Sequence, residues 1–232
     1  MRLSPSSPID SHTLRNVRRD FPEWHMGRTH YALWALQVDT QAVRQRMRAA
    51  QQHLANRLLQ GYERQPHITL GLCGFLSEAP QHTDDFGAQA LRLQLAALRQ
   101  TNLTPFDIYI GGLASFSSAP YLTVQAAPAS MESLRQCVAG AAMNPPAAHY
   151  TPHVTVGLYA GVWPLADLQE QFKDFAQSSA LQLLITRLAL LSYAAQEIGG
   201  SLQTLAEYDF QSRLLHWNPV DAPWARSFRD VV

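Results

Sequence analysis

The chain has 232 residues, with 18 Lys and Arg against 18 Asp and Glu, so its formal net charge is zero. Hydrophobic residues make up 47% and charged residues 16%, which argues against bulk disorder and provides a core for one large domain or two small lobes. A broad nucleic-acid coat is disfavoured too, because such binding depends on Lys and Arg neutralising phosphates; a site for one phosphate is not. Cys73 and Cys137 are too few for a disulfide scaffold and form no metal-ligand run. With no run of about 18 apolar residues and no apolar signal core, a cytoplasmic protein without a membrane partner is expected.

In chain order, residues 1–29 read as an irregular extension, with Ser and Pro filling Ser4 to Pro8 and a short helix near Leu14. His30–Val38 alternates as a strand. Thr40 can cap a helix carrying Val43, Met47, Leu54 and Leu58 inward, with Gly61 as its stop. Its Arg44, Arg46 and Arg48 read as the solvent face. A strand from Pro66 to Phe75 follows. Asp84 can cap a second helix that turns Phe86, Leu91, Leu95 and Leu98 inward. Phe106–Ile110 alternates until Gly111-Gly112 interrupts it, and Tyr121–Gln125 is a short strand. Ser130 can cap a helix to about Ala142, before a loop at Asn144-Pro145-Pro146. Tyr150–Tyr159 reads as a strand, Pro164–Ala176 as a helix and Leu181–Tyr193 as one strand. The last pairs back through the Ile198–Ser201 turn onto Leu202–Phe210. The tail from Gln211 carries Trp217 and Trp224. The fold class is α+β, with residues 30–210 as one domain between an N-terminal extension, 1–29, and a C-terminal tail, 211–232.

A repeat carries the chemistry. Residues 66–72 are Pro-His-Ile-Thr-Leu-Gly-Leu and residues 152–158 are Pro-His-Val-Thr-Val-Gly-Leu, identical at five of seven positions at an offset of 86. Similarity at so long an offset points to two copies of one structural unit. On a strand, side chains alternate. Ile68, Leu70 and Leu72 then face a core, while His67, Thr69 and Gly71 face away; Val154, Val156 and Leu158 sort against His153, Thr155 and Gly157 in the same way. Each outer face shows an imidazole, a hydroxyl and a residue without a side chain, where a ligand can approach the backbone. Two such faces across a cleft gather two histidines, which can divide acid and base roles near neutral pH. They also gather two hydroxyls that can donate to anionic oxygens. This set suits a phosphodiester and calls for no metal or cofactor.

The pair His67-Ile68-Thr69-Leu70 and His153-Val154-Thr155-Val156 resembles the twin H-x-[ST]-hydrophobic motif of the 2H phosphoesterase superfamily, in its 2′-5′ RNA ligase and cyclic phosphodiesterase branch. The resemblance spans roughly residues 30–210. It implies a bilobal, pseudo-twofold fold with antiparallel sheets facing a central cleft and helices outside. It implies an enzyme, metal-independent, acting on a 2′,3′-cyclic phosphate or 2′-5′ phosphodiester of RNA or a nucleotide. His67 and His153 then take the catalytic acid and base roles, and Thr69 and Thr155 bind the phosphate. Which histidine is the acid stays open. The alternatives are a phosphodiesterase for a cyclic or 2′-5′ linked signalling nucleotide and a non-catalytic module that holds an RNA end. The expected partner is thus an RNA end or nucleotide, and the protein is expected to be a monomer.

Further substrate contacts are expected at Arg64, which can fork onto a phosphate, at Tyr150, which can stack on a base, and at His149 on the cleft edge. Trp24, in an extension that can lie over the cleft, joins them. Each has a structural reading as well: a solvated arginine, a strand-end aromatic, a loop histidine and a hydrophobic anchor. Cys73 and Tyr159 share the His faces but lie six residues along their strands, too far to serve either imidazole, and read as packing. Charge is uneven: residues 1–64 hold 10 Arg against 5 acids, and residues 65–232 hold 8 basic against 13 acidic residues. The basic part precedes the first motif and can attract a phosphate-bearing ligand.

Overall fold

The structure is a computed structural model and describes residues 11–139, 150–175, 179–219 and 222–230. His149 and the Asn144-Pro145-Pro146 loop lie outside them.

Two antiparallel sheets carry the fold. The first runs in the order β10 (Leu215–Trp217), β9 (Gln203–Asp209), β8 (Arg187–Ala194), β1 (His30–Gln37), β2 (His67–Leu76), with β3 (Asp85–Phe86) as a two-residue parallel edge. The second runs β6 (His153–Thr155), β5 (Pro120–Ala126), β4 (Phe106–Ser115), β7 (Leu181–Ile185). The quartets β9-β8-β1-β2 and β7-β4-β5-β6 have matching order, with a His motif on the last strand of each. This is the pseudo-twofold implied by the repeat, and the architecture is the expected α+β fold.

The helices cross between the halves. Helix α2 (Gln41–His53) leaves β1, yet Arg46 donates to the Ile110 carbonyl on β4 (2.6 Å) and Gln51 to the Val156 carbonyl (2.9 Å). Helix α4 (Pro128–Ala139) leaves β5, yet it packs on β2 beside α3 (Ala88–Gln100). Buried Gln94 fixes that layer. Its amide oxygen accepts from Trp34 Nε1 (2.8 Å) and its amide nitrogen donates to the Val138 carbonyl (2.6 Å). Each half thus contributes a helix to the other, and a shared core forms around Trp34, Leu36, Ile68, Leu122 and Val154. Helix α5 (Leu165–Lys173) packs on β4.

Several local expectations change. Leu181–Tyr193 is two strands: the chain leaves the second sheet and enters the first at Thr186. A leucine-rich run, even one broken by the polar pair Thr186-Arg187, does not say that its neighbours change midway. Asp84 does not cap α3; Gly87 holds that place, and Asp84 binds Arg28 (2.6 Å) instead. Gly111-Gly112 bends β4 without ending it, through an irregular register between Ile110 and Leu113. Helix α2 ends at His53, and Leu58 pairs with Tyr159 as an isolated bridge. Arg46 is no solvent-face residue: it is buried, donating also to the Ser179 carbonyl (2.8 Å). The helix near Leu14 is absent; that stretch is extended, and a short helix, α1 (Pro22–His25), follows instead. Tyr150–Tyr159 forms regular strand only over β6. In the tail, Trp224 packs on Phe228 of α6 (Ala225–Arg229).

The extension joins both halves. Thr13 donates through its amide to the Trp163 carbonyl (2.8 Å), and Asn16 to that of Tyr159 (2.8 Å). Arg18 then donates to the carbonyls of Gln60 and Gly61 (2.9 and 3.0 Å), and α1 rests on the first sheet. Among the described residues no helix is long and apolar enough to cross a membrane.

Candidate active site

The motif strands depart from simple alternation, and the departure shapes the site. β2 pairs with β1 as His67↔Gln37, Ile68↔Leu36 and Thr69↔Ala35, then slips so that Gly71 faces Trp34 and Leu72 faces Leu33. A second slip passes over Cys73. Such bulges send two successive residues to one side and bend the strand. Leu70 stays in the core, but Leu72, expected inside, is 49% exposed, and Cys73 takes the buried place. Gly71 faces helix α4, where a Cβ would lie 3.0 Å from Val138. Gly157 likewise faces Leu58, 3.2 Å from a would-be Cβ. The motif glycines therefore admit a packing segment from the other half, and the expectation that they clear the way for a ligand is corrected.

The histidines and threonines keep the face expected of them. β2 and β6 approach each other where the sheets meet. His67 is buried and His153 half-buried. His67 Nδ1 lies 2.8 Å from the carbonyl of Gln65, and His153 Nδ1 lies 2.7 Å from that of Thr151. A carbonyl only accepts, so in each ring Nδ1 carries the proton and Nε2 is left for chemistry. The repeat reproduces the tether: each imidazole is held by the carbonyl two residues before it. Burial, aided by the nearby charges of Arg64 and His153, pushes the His67 pKa down to about 4 against the Gln65 hydrogen bond. His67 is therefore neutral at physiological pH, with a free lone pair on Nε2.

Tyrosines ahead of the motifs brace them in exchange. The Tyr62 phenol meets the side chain of Thr155, and burial pushes its pKa up to about 12. The Tyr150 hydroxyl donates to the Thr69 carbonyl (2.8 Å), and Arg135 stacks on its ring at 4.0 Å. Each half thus fixes the other's threonine strand. Tyr150, expected as a base-stacking contact, is engaged at both its hydroxyl and one ring face. Arg64 stands over the Tyr193 ring at 4.1 Å, and its Nε is buried without a hydrogen-bond partner. Its charge bears on His67 and disfavours the protonated imidazole there. Trp24 is 40% exposed and packs on Phe75 (4.9 Å) and Tyr31 (5.4 Å), well along the sheet from His67. Cys73 and Tyr159 are buried packing residues, as read.

Sequence reasoning missed Phe116 and Tyr121. Their rings stack at 4.4 Å, and Phe116 meets the His153 ring edge-on at 4.9 Å. Thr155 faces Tyr121 across the β5–β6 ladder, so the alternation of Tyr121–Gln125 held the signal for Tyr121. Phe116, in a Ser-rich turn, gave none. A cavity of about 320 Å³ lined by Arg48, Gln51, Tyr62, Val156 and Gly157 lies behind the second motif and contains neither histidine. Among the described residues, no group of three or more His, Cys, Asp and Glu is placed to hold a metal ion.

Solved structures with this fold include LigT of E. coli complexed with 3′-AMP, at 12% identity and a TM-score of 0.51, over 79% of this chain and 99% of that one. They also include TT0787 of Thermus thermophilus, at 16% identity and a TM-score of 0.50, over 78% and 98%. No curated protein matches the chain. Residues 33–197, which include both His motifs, match the family model described as 2′-5′ RNA ligase superfamily, and the chain belongs to that superfamily.

Proposed function

We propose that the protein is a metal-independent phosphoesterase that hydrolyses a 2′,3′-cyclic phosphate or 2′-5′ phosphodiester of RNA or a nucleotide. The observation that carries this reading is the pair of imidazoles, each with Nδ1 tied to a carbonyl two residues back and Nε2 left for chemistry. Neutral His67 takes the proton of the attacking water through Nε2 as water oxygen bonds to phosphorus. Protonated His153 gives its Nε2 proton to the leaving ribose oxygen as the P–O bond breaks. One proton is taken and one given, so the histidines exchange charge states and reset through solvent. Thr69 and Thr155 donate to the non-bridging oxygens, and the Arg64 charge offsets the phosphate. Superfamily membership supports an enzyme of the phosphoesterase or ligase kind. LigT, which shares the fold, has been seen with 3′-AMP; by analogy this supports a nucleotide-sized phosphate ligand.

The test is turnover of a panel in excess chelator: 2′,3′-cyclic nucleotides, 3′,5′-cyclic nucleotides and 2′-5′ dinucleotides, with products separated. Hydrolysis of the first or third class is expected. Tight binding of the same compounds with no product would favour a non-catalytic module. Turnover confined to 3′,5′-cyclic nucleotides would favour a signalling phosphodiesterase.

A further inference from the structure

A hydrogen bond at Nδ1 holds one corner of an imidazole and leaves the plane of the ring to be set by whatever packs on it. His67 is buried, and its surroundings close on it from within the first sheet. His153 is half-buried on a three-residue edge strand, and two rings set its plane: Phe116, edge-on at 4.9 Å, and Tyr121 at 5.4 Å. Tyr121 is fixed within β5. Phe116 belongs to no strand; it stands in the β4–β5 turn, closed by its own amide on the Ala119 carbonyl (3.0 Å). Surface turns are the more mobile parts of a fold, so the aim of His153 depends on what holds this one.

The N-terminal extension holds it. The Leu14 amide donates to the Ser117 carbonyl (2.7 Å), and Asn16 Nδ2 donates to the Ser118 carbonyl (2.9 Å). Asn16 also donates twice to the Tyr159 carbonyl, from its backbone amide (2.8 Å) and from Nδ2 (3.1 Å). Tyr159 is fully buried on the far side of the second motif, and its hydroxyl lies 2.5 Å from that of Ser115, the neighbour of Phe116. Asn16 therefore ties the turn that carries Phe116 to a fixed point of the core. The segment is pinned on both sides. Buried Thr13 donates through Oγ1 to the Gly161 carbonyl (2.9 Å) and accepts there from the Trp163 amide (2.9 Å). Arg18 reaches the Gln60 and Gly61 carbonyls so closely that a Cβ at Gly61 would lie 1.7 Å from its guanidinium. Leu14 and Val17 are 55% and 50% exposed, so hydrogen bonds to chosen carbonyls, and not burial of these apolar side chains, hold the segment in place. All of it lies outside residues 33–197, the part that matches the superfamily.

We propose that Asn16 is a positioning residue: through the Ser117–Ser118 turn it holds Phe116 against His153 and so aims Nε2 at the leaving oxygen. The inference rests on the phosphoesterase reading, in which His153 donates the proton, and adds to that reading a residue outside both motifs. Proton transfer needs donor and acceptor within about 2.6–3.2 Å. An imidazole free to swing on its Nδ1 tether leaves that range for part of the time. Turnover then falls, while binding, which rests on Thr69, Thr155 and Arg64, changes little.

The experiment uses the full chain with Asn16→Ala, Leu14→Pro, Phe116→Leu and the double variant Asn16→Ala/Phe116→Leu. Leu14→Pro deletes the amide that donates to Ser117, so it loosens the turn by a separate route if Asn16→Ala fails to fold. kcat and KM are measured on a 2′,3′-cyclic nucleotide, and Tm is followed in parallel. Proton–carbon NMR of the histidine rings, assigned with His67→Gln and His153→Gln, reports the Phe116 ring current at His153 without any substrate. Asn16→Ala and Leu14→Pro are each expected to lower kcat about tenfold with KM little changed, and to move the His153 signals and not those of His67. Phe116→Leu should do the same, and Asn16→Ala should cost nothing further on top of it. Wild-type kcat and unmoved His153 signals in Asn16→Ala and Leu14→Pro, with only a lower Tm, overturn the proposal. A kcat loss from Asn16→Ala that persists in full on top of Phe116→Leu overturns it too. If no protein turns the substrate over but the His153 signals still follow Asn16 and Phe116, the phosphoesterase reading fails while the positioning of His153 stands.

Discussion

The two copies of the heptapeptide are nearly the same sequence in two unlike settings. His67 lies buried on a ten-residue strand inside a six-stranded sheet, with two bulges behind it. His153 is half-buried on a three-residue edge strand, against the rings of Phe116 and Tyr121. Their tethers are alike, Nδ1 on the carbonyl two residues back; their solvation is not. Desolvation disfavours a charged imidazole, so the buried copy is the one driven to the neutral, proton-accepting state. Identical residues meet different solvation because packing around them differs, not because the motif does, and the roles proposed for them follow that difference.

The comparison can be broken first at the imidazoles. His67→Ala and His153→Ala are each expected to lower turnover by a factor on the order of 10² to 10⁴, measured as kcat/KM on a 2′,3′-cyclic nucleotide. Full activity in either variant would remove that histidine from the chemistry.

The next effect is on stability in acid. His67 has a folded pKa of about 4, below the ordinary 6.5. The unfolded chain therefore binds a proton that the folded chain refuses between those values. The stabilisation is complete above about pH 6.5 and lost as pH falls toward 4, up to about 3 kcal/mol. Urea unfolding of the wild type and of His67→Gln over this range checks it: the variant should lose less stability on acidification.

The glycines give a finer contrast. Gly71→Ala puts a methyl 3.0 Å from Val138, a stiff β-branched side chain on a packed helix, and should cost about 1–3 kcal/mol. Gly157→Ala meets the tip of Leu58 at 3.2 Å. Leu58 can turn aside, so the cost should stay below about 1 kcal/mol. Chemical denaturation of the two variants ranks them; the reverse order would place the tighter seam at the second motif.

An effect of similar size to the milder glycine change is expected at the braces. Tyr150→Phe removes the hydrogen bond to the Thr69 carbonyl and should cost about 1 kcal/mol of stability. In the proposed mechanism Thr69 binds the phosphate, so kcat should fall severalfold with little change in KM for a mononucleotide. Loss of stability alone, at full kcat, would make the brace purely structural.

The repeat made the pairing of His67 with His153 legible, because a strand period of two needs only local sequence. Legibility ended where the partner is remote. Nothing in residues 66–75 states that α4 will lie against Gly71, so the bulge at Leu70 and the exposure of Leu72 were hidden. Leu181–Tyr193 is leucine-rich on both sides of the polar pair Thr186-Arg187, where it changes sheet, and that pair alone does not say which neighbours follow. Arg46 carries the same charge as Arg44 and Arg48, and its acceptors, the carbonyls of Ile110 and Ser179 among them, lie far along the chain. Trp24 was visible as an aromatic in an odd extension; its seat on Tyr31 and Phe75 needed the register of β1 with β2.

The central claim, that burial makes His67 the proton acceptor and leaves His153 the donor, is tested most directly by the pH–rate profile of kcat/KM in the wild type and both alanine variants. It is taken on a 2′,3′-cyclic nucleotide at pH values where circular dichroism shows the fold intact. The account predicts an acid limb falling toward pH 4 that persists in His153→Ala and vanishes from the residual activity of His67→Ala. An acid limb that survives in His67→Ala and is lost in His153→Ala would contradict it.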